Sequence, residues 1–324
     1  ERVLHAYLPY DLPDAVARFF DHFQPHFGIL METEIWPNLL AAAKYRNIPV
    51  TLVNARLSAR SARGYRHFSG LTAPAFACLT GVAAQTAADA ERLRQTGATQ
   101  VSVCGNLKFD VPPQPKLLAL GQHWRQQRNN RPAWLAASTR EGEEALLLDA
   151  WQQHPTPALL ILVPRHPQRF AEVGALLTAR GIRWQARSKG LPDSSTQVWL
   201  GDSMGEMVAY YACAEFAFIG GSLLPLGGQN LIEAAACNCP VLIGPHTFNF
   251  LQATKDAIAA GAARRITNAE DLLVTANALL NDQAAMQAMR QASRDFATAH
   301  QGATERTLQL LLALNAPAPD QARH

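Results

Sequence analysis

The chain has 324 residues, 48% of them hydrophobic, which predicts a globular protein of two domains, each able to bury its own core. Its net charge of +3 is too mild to indicate a general nucleic-acid-binding protein, and no apolar run reaches the roughly 20 residues that span a bilayer. The five cysteines are scattered and complete no metal-binding motif, so they predict free thiols in a reducing compartment.

The first third of the chain alternates predicted strands with predicted helices. Strands are expected at 3–7, 27–31, 49–54, 81–85 and 101–104, and helices at 14–22, 37–46 and 87–96. This alternation predicts βα units and a parallel sheet, in which ligands bind at the carboxyl ends of the strands. Glu32, Arg56 and the segment 105–108 all follow predicted strands, so we expect them near a site.

The second part of the chain begins after a proline-rich segment, 111–116, that predicts a semi-rigid linker. Strands are then expected at 134–137, 158–163, 197–200, 215–219 and 240–243, with later helices at 269–280, 282–300 and 303–314. The fold class predicted is therefore α/β with two parallel sheets. Its predicted boundaries are a first domain at 1–111, a linker at 112–116, a second domain at 117–314 and a flexible tail at 315–324.

A glycine-rich segment is the clearest candidate for a ligand site. The predicted strand 215–219 leads into glycine pairs at 220–221 and 227–228, and a helix is expected from Asn230. Glycines let backbone N–H groups approach a ligand, and a helix start offers unpaired donors, so a phosphate fits there. Glu233, one turn further, could accept hydrogen bonds from a ribose. The spacing matches neither a Walker loop nor GxGxxG, so a purely structural turn is the alternative.

Two charged residues at predicted strand ends have competing interpretations. Glu32 could lie in a site, or could be an ordinary acidic charge before the helix that Pro37 opens. Lys108 could stabilise charge that develops on a leaving phosphate, or could be a solvated lysine beside the linker.

A long acid-free stretch separates Glu34 from Asp89. It predicts a surface for anionic lipid headgroups or a phosphorylated acceptor, with RNA as a second possible partner and a solvated face as the plain alternative. The cationic residues in this stretch are Lys44, Arg46, Arg56, Arg60, Arg63 and Arg66.

Eight blocks of the sequence resemble, in the same order, the Kdo transferases, which attach 3-deoxy-D-manno-octulosonic acid (Kdo) to lipid A precursors. One position departs from the family, which often has histidine where this chain has Gln229. The blocks are METEIWPN (31–38), NARLSARSARGY (54–65), GNLKFD (105–110), ASTREGEE (137–144), LVPRHPQRF (162–170), GDSMGEM (201–207), FIGGSLLPLGGQNLIE (218–233) and GPHTFNF (244–250).

The resemblance implies a GT-B-like fold, in which two Rossmann-like domains face each other across a cleft, the first binding the acceptor and the second the donor. It implies transfer of Kdo from CMP-Kdo to a lipid A precursor (lipid IVA) at the anionic cytoplasmic face of the bacterial inner membrane. Neither a metal nor another cofactor is implied, and nucleic acid is not an expected partner.

The resemblance also assigns roles to individual residues. Glu32 and Lys108 match positions of transition-state stabilisers. The acceptor or membrane surface is expected at Arg56, Arg60, Arg63 and Arg66. The positions that match contacts to CMP are Pro164, Arg165, Met204, Gly205, Glu206, Asn230, Leu231, Ile232 and Glu233.

Members of the resembled family carry a hydrophobic anchor and a Gly-Glu motif, which supplies the general base, before the point that matches this chain's first residues. We therefore expect an N-terminally truncated copy that lacks its base. Two other functions are possible on the sequence: a GT-B-like sugar-nucleotide epimerase, which would take a UDP-sugar, and a fragment that binds CMP without turnover.

Overall fold

The computed structural model describes residues 3–128 and 131–315, with the backbone only at Asn315, so most of the predicted tail lies outside the described residues. The chain forms two compact units. Unit 1 contains the described residues up to Asp110 together with those from His300 onward, and unit 2 contains residues 111–299. Each unit is built on one parallel β-sheet.

Unit 1 has a four-stranded parallel sheet in the order β1-β2-β3-β4, which confirms four of the five strands predicted there. The strands are β1 (Gly28–Met31), β2 (Val50–Ala55), β3 (Gly81–Ala84) and β4 (Val101–Val103). The connecting helices are α1 (Pro13–Phe23), α2 (Pro37–Tyr45), α3 (Ala59–His67), α4 (Ser69–Ala77) and α5 (Ala87–Gln95).

The strand predicted at 3–7 is wrong. These residues belong to no strand of the described sheet, and the side chains of Val3, Leu4 and Tyr7 are exposed. An apolar run shows only a preference for extended backbone, whereas a strand also needs a neighbour with which to exchange hydrogen bonds.

Unit 2 has a seven-stranded parallel sheet in the order β11-β10-β9-β5-β6-β8-β7. Its strands are β5 (Ala133–Thr139), β6 (Leu159–Pro164), β7 (Trp184–Ala186), β8 (Val198–Leu200), β9 (Ala217–Ile219), β10 (Val241–Ile243) and β11 (Ala263–Arg265). Its helices are α6 (Pro115–Gln127), α7 (Glu143–Gln153), α8 (Phe170–Ala179), α9 (Met207–Cys213), α10 (Ile232–Ala236), α11 (Leu251–Ala259), α12 (Ala269–Asn281) and α13 (Gln283–Ala299).

The five strands predicted in this unit are present, and the sequence missed two more, β7 and β11. Both are three residues long and lie at the two edges of the sheet. The side chains of β7 are only partly buried, and β11 has one buried residue, Ala263, followed by two exposed arginines. Neither strand therefore shows the apolar run that marks a central strand.

The last helix, α14 (Ala303–Asn315), belongs to unit 1, although the sequence analysis assigned residues up to 314 to the second domain. Alternate residues of a strand point to opposite faces of the sheet. Leu52 and Val82 join the main core of the unit, whereas Val53 and Ala83 form a second cluster on the other face. That second cluster is covered by leucines of α14, namely Leu310 and Leu311.

Candidate functional site

Three charged residues meet in unit 1, and we call Glu32, Arg56 and Lys108 the charge cluster. Glu32 directly follows β1, Arg56 follows β2, and Lys108 lies beyond β4 in a short 3₁₀ helix, Leu107–Asp110. The Lys108 Nζ atom is 2.7 Å from Glu32 Oε1, and the Arg56 Nε atom is 3.3 Å from Glu32 Oε2. The structure thus brings the two predicted transition-state residues together and adds Arg56 to them.

Backbone geometry at the strand ends fixes this cluster. Glu32 and Asn54 both have positive φ angles, 55° and 51°, which non-glycine residues adopt at a cost of about 1–3 kcal/mol. The N–H of Glu32 donates to Val53 O (2.9 Å), and the Asn54 side chain accepts a hydrogen bond from the N–H of Leu107 (3.1 Å). Strained backbone held by such bonds is typical of functional sites.

The cluster keeps Glu32 ionised. Partial burial alone would raise the pKa of Glu32, but the hydrogen bond and charge of Lys108, together with the charge of Arg56, outweigh it and lower that pKa. Glu32 is therefore a carboxylate paired with two cations, not a loose charge at the start of α2.

The predicted basic surface is divided in the structure. Arg56 belongs to the charge cluster, and Arg46 pairs with Asp21 at 3.0 Å. Arg60, Arg63 and Arg66, however, are exposed and spaced three residues apart on α3, so they lie on one side of the helix. Their side chains have no hydrogen-bond or ion-pair partner among the residues that the structure describes. We call these three the arginine face.

The candidate donor residues lie at one edge of the unit 2 sheet. Arg165 follows β6, Met204–Glu206 follow β8, and Asn230–Glu233 follow β9. Strands β9, β5, β6 and β8 are consecutive neighbours and parallel, so their carboxyl ends share an edge. The direction of strand succession reverses between β5 and β9, and such a switch point is where open α/β sheets bind ligands.

The segment 220–229, which we call the glycine loop, is folded back on itself. The N–H of Gly228 donates to Gly221 O (2.7 Å), and the N–H of Gln229 donates to Gly220 O (3.0 Å), so the two glycine pairs bond to each other. A Cβ atom at Gly220 would lie 2.4 Å from Ser138 O. Glycine at 220 is thus required by the end of the neighbouring strand β5, as in the structural alternative that the sequence analysis left open.

The helix expected from Asn230 starts later and is short. α10 begins at Ile232 and has five residues. The Asn230 side chain accepts a hydrogen bond from the N–H of Ile232 (3.1 Å) and so shapes the turn before the helix. Within the described chain, the backbone N–H groups of Asn230 and Leu231 have no hydrogen-bond partner. These unpaired donors can bind an anion without help from a long helix.

Glu233 in α10 and Arg165 in the turn after β6 are near enough for the charge of Arg165 to act on the Glu233 carboxylate. Burial raises the pKa of Glu233, and the positive charge of Arg165 partly opposes that rise. Among the described residues, 3–128 and 131–315, none donates a hydrogen bond to the Glu233 carboxylate. The Arg165 side chain is exposed, while its backbone N–H donates to Thr139 O (2.9 Å). A cation beside an unsatisfied carboxylate suits a ligand that carries both a phosphate and hydroxyl groups.

The segment 204–206 offers one open position and one engaged side chain. Gly205 has a positive φ of 79°, and no atom lies within 4 Å of the place where its Cβ would be. Met204 is exposed. The Glu206 carboxylate, in contrast, accepts hydrogen bonds from Arg187 (3.0 Å) and from the Ser203 hydroxyl. Arg187 was not predicted, because its partner Glu206 is 19 residues away in the chain.

Metal clusters and membrane-spanning helices are absent from the described residues. No group of three or more His, Cys, Asp or Glu side chains among them could hold a metal ion. No helix formed by these residues is long and apolar enough to cross a membrane.

Solved structures with the same fold fall into two kinds. The C-terminal CMP-Kdo binding domain of WaaA from Acinetobacter baumannii is 31% identical, with a TM-score of 0.54 over 56% of this chain and 98% of that one. Anabaena HepE in complex with UDP has a TM-score of 0.62 at 15% identity, over 94% of this chain and 82% of that one. The second likeness shows the fold alone, and it confirms the GT-B-like α/β class.

Sequence relatives identify the family. A family model described as 3-deoxy-D-manno-octulosonic-acid transferase (kdotransferase) matches residues 1–111. The 3-deoxy-D-manno-octulosonic acid transferase of Bordetella pertussis is 48% identical over 94% of this chain and 73% of its own length. The Haemophilus influenzae protein of the same name is 38% identical over 96% and 75%. These names do not favour an epimerase, and the chain belongs to the Kdo transferase family of glycosyltransferases.

Proposed function

We propose that this chain transfers Kdo from CMP-Kdo to a lipid A precursor at the cytoplasmic face of the inner membrane. The observation that carries the proposal is the group of Arg165, Glu233 and the unpaired N–H groups of Asn230 and Leu231 at the switch point of the unit 2 sheet. The proposal is supported by the likeness to a solved structure described as a C-terminal CMP-Kdo binding domain, which is 31% identical over 56% of this chain.

Each part of the donor has a chemically suitable partner. The phosphate would bind the Arg165 guanidinium and the two unpaired N–H groups. The ribose would donate hydrogen bonds to the Glu233 carboxylate, and Gly205 leaves room for the base. The exposed Met204 would help to define the shape of the nucleotide site. Pro164 and Ile232 would do so from buried positions. Glu206 would act through the conformation of its segment, because Arg187 and Ser203 already engage its carboxylate.

The charge cluster would serve the chemical step. Kdo transfer leaves negative charge on the departing CMP phosphate, and a fixed cation stabilises such charge in the transition state. The hydrogen bond from the Lys108 ammonium to Glu32 fixes the position of this cation within unit 1. We assign both residues the role of transition-state stabilisers.

The experiment that tests the proposal measures binding and transfer separately. Calorimetric titration should show tighter binding of CMP than of UMP, and incubation with CMP-Kdo and lipid IVA should yield a Kdo-bearing lipid. CMP binding without transfer would favour the alternative of a fragment that binds CMP without turnover. Binding of UMP as tight as that of CMP would contradict the proposed donor. As a control, we expect Arg165→Ala to lose CMP binding while its melting temperature stays unchanged.

The arginine face would hold the acceptor or the membrane that contains it. Three exposed guanidinium groups on one side of α3 match phosphate oxygens and an anionic lipid surface. Replacement of Arg60, Arg63 and Arg66 by Gln should reduce sedimentation with vesicles that contain phosphatidylglycerol, and high salt should have the same effect. A control of equal charge change is available in three exposed cations of unit 2, Lys255, Arg264 and Arg294. Equal losses in both triple variants would contradict a specific arginine face.

A further inference from the structure

Two adjacent glutamates at the start of α7 are more buried than any other acidic side chains that the structure describes. Glu143 is 0% exposed and Glu144 is 1% exposed. Burial of a carboxylate is costly unless it is hydrogen-bonded or paired, so their position requires an explanation beyond the stability of one helix.

Glu143 joins two loops. Its Oε2 atom accepts hydrogen bonds from the N–H groups of Gly221 (2.6 Å) and Arg140 (2.9 Å), and its Oε1 atom accepts one from the N–H of Leu223 (2.9 Å). Arg140 follows β5, whereas Gly221 and Leu223 lie in the glycine loop that follows β9. The carboxylate therefore ties together the two strand ends that flank the switch point.

The contact also explains why an acidic residue stands there. Burial raises the pKa of Glu143, and the three backbone N–H groups act in the opposite direction. An apolar side chain of the same size would leave three backbone donors without acceptors. Each unsatisfied buried donor costs about 1–3 kcal/mol, so the loop would relax into another conformation.

Glu144 holds a different segment by the same means. Its Oε1 atom accepts hydrogen bonds from the Thr139 hydroxyl (2.8 Å) and from Arg169 Nη1 (2.7 Å). The N–H of Arg169 donates to His166 O (3.0 Å), and Thr139 O accepts the N–H of Arg165 (2.9 Å). Glu144 thus fixes the turn that carries Arg165 from both sides.

We infer that Glu143 and Glu144 are positioning residues for nucleotide binding. Glu143 holds the glycine loop in the conformation that leads to Asn230 and Glu233, and Glu144 holds the turn of Arg165. Neither touches the ligand. The inference rests on the proposed function, since it takes the nucleotide to be CMP.

The variants E143Q and E144Q keep the size of the side chains and remove their charge. In E143Q one carboxylate oxygen becomes an amide donor, so at least one of the three backbone N–H groups loses its acceptor. The matched control is E215Q. Glu215 is also a mostly buried carboxylate, paired with Arg125 (2.6 Å) and Arg290 (2.5 Å), but it lies at the amino end of β9, away from the glycine loop.

Hydrogen exchange and CMP titration on the whole chain give the readouts. In E143Q we expect faster exchange in peptides that cover 220–224, and CMP affinity about tenfold or more below that of the wild type, the loss typical of one bond to a charged group. In E144Q we expect faster exchange in peptides that cover 164–170. E215Q should lower the melting temperature and leave CMP affinity unchanged. If E143Q does not fold, E143D, whose side chain is one methylene shorter, takes its place in both measurements.

The outcomes separate this inference from the proposed function. E143Q that binds CMP as tightly as the wild type, or an equal loss of affinity in E215Q, overturns the inference and leaves the proposed function standing. A wild-type chain that fails to bind CMP overturns the proposed function, and CMP is then not the ligand of this site. The exchange measurement needs no ligand, and unchanged exchange at 220–224 in E143Q then overturns the positioning role as well.

Discussion

Glu32 is held between two cations, and this pairing makes part of the stability of unit 1 depend on pH. Its folded pKa lies below the ordinary value of 4.5, because Lys108 and Arg56 outweigh the effect of burial. The stabilisation is therefore fully present above pH 4.5 and is lost as the pH falls through the lower folded pKa. We expect the difference in unfolding free energy between wild type and E32Q to be constant near neutrality and to shrink below pH 4.5. Urea titrations across that range measure it.

A second variant checks the cause of this pH dependence. Lys108→Met removes the cation that lowers the pKa of Glu32 most strongly. The acid-dependent part of the stability should then be smaller than in the wild type. A difference between wild type and E32Q that grows as the pH falls would contradict the pairing, since it would require a raised folded pKa for Glu32.

Glu233 is expected to matter for binding more than for folding. Its carboxylate is partly buried, its pKa is raised by that burial, and no described residue hydrogen-bonds to it. Glu233→Gln should therefore leave the melting temperature nearly unchanged while it weakens CMP binding by about 1.5–3 kcal/mol, the range for hydrogen bonds to charged groups. Calorimetry and thermal unfolding measure the two effects. Glu206→Gln is the contrasting variant, because it removes a partner of Arg187 and should lower the melting temperature.

Single residues were predictable where the signal was local. Glu32 and Lys108 were expected near strand ends, and the structure joins them. The roles of Glu143 and Arg187 were not predictable, because each acts on a segment that is distant in the sequence. Glu143 bonds to Gly221, 78 residues further along the chain, and no spacing pattern reveals such a pair.

Two helical glycines should respond in opposite ways to the same substitution. Gly64 lies in α3, and nothing is within 4 Å of the place where its Cβ would be. Gly121 lies in α6, where a Cβ would come within 2.3 Å of Ala209 O in α9. We expect Gly64→Ala to stabilise by about 0.5–1 kcal/mol through helix propensity, and Gly121→Ala to destabilise by about 1–3 kcal/mol through overpacking.

Chemical denaturation of the two variants decides this prediction. A stabilising Gly121→Ala would show that α6 and α9 can move apart at little cost, against the close contact in the structure. The contact is relevant to the site, because α9 begins directly after Glu206 and packs on α6.

At the scale of elements, the central strands were predictable and the edges were not. β5 and β6 are buried along nearly all their length and give continuous apolar runs. β11 reads Ala-Arg-Arg and has two exposed residues, which is typical of a strand at a sheet edge. The start of α10 was misplaced because Asn230, a good capping residue by type, bonds to Ile232 in a turn that precedes the helix.

For the whole molecule, the sequence predicted two parallel sheets, and the structure has them. The assignment of α14 shows the limit of that approach. Its leucines indicate an apolar face, but an apolar face does not say which sheet it covers. The carboxylate of Asp110 accepts hydrogen bonds from the N–H groups of Gly302 (2.7 Å) and Thr304 (2.5 Å). These bonds fix the start of α14 to the segment that follows β4 in unit 1.

The unit boundaries lead to a prediction about fragments. The candidate donor residues and Glu143 all lie in unit 2, residues 111–299. A fragment of those residues should fold and bind CMP without unit 1. A fragment of residues 111–315 would carry α14 without the unit 1 sheet that it covers. Leu310 and Leu311 would lose the cluster that contains Val53 and Ala83. Leu314 would lose its place beside Gly81.

The longer fragment should therefore self-associate, because an uncovered apolar face of this kind promotes aggregation. Light scattering and CMP titration of both fragments measure the two effects. If the shorter fragment folded but bound CMP much more weakly than the whole chain, residues of unit 1 would have to contribute to CMP binding. If the longer fragment were monomeric and the shorter one aggregated, α14 would cover unit 2 instead, and the domain boundary predicted from the sequence would be the better one.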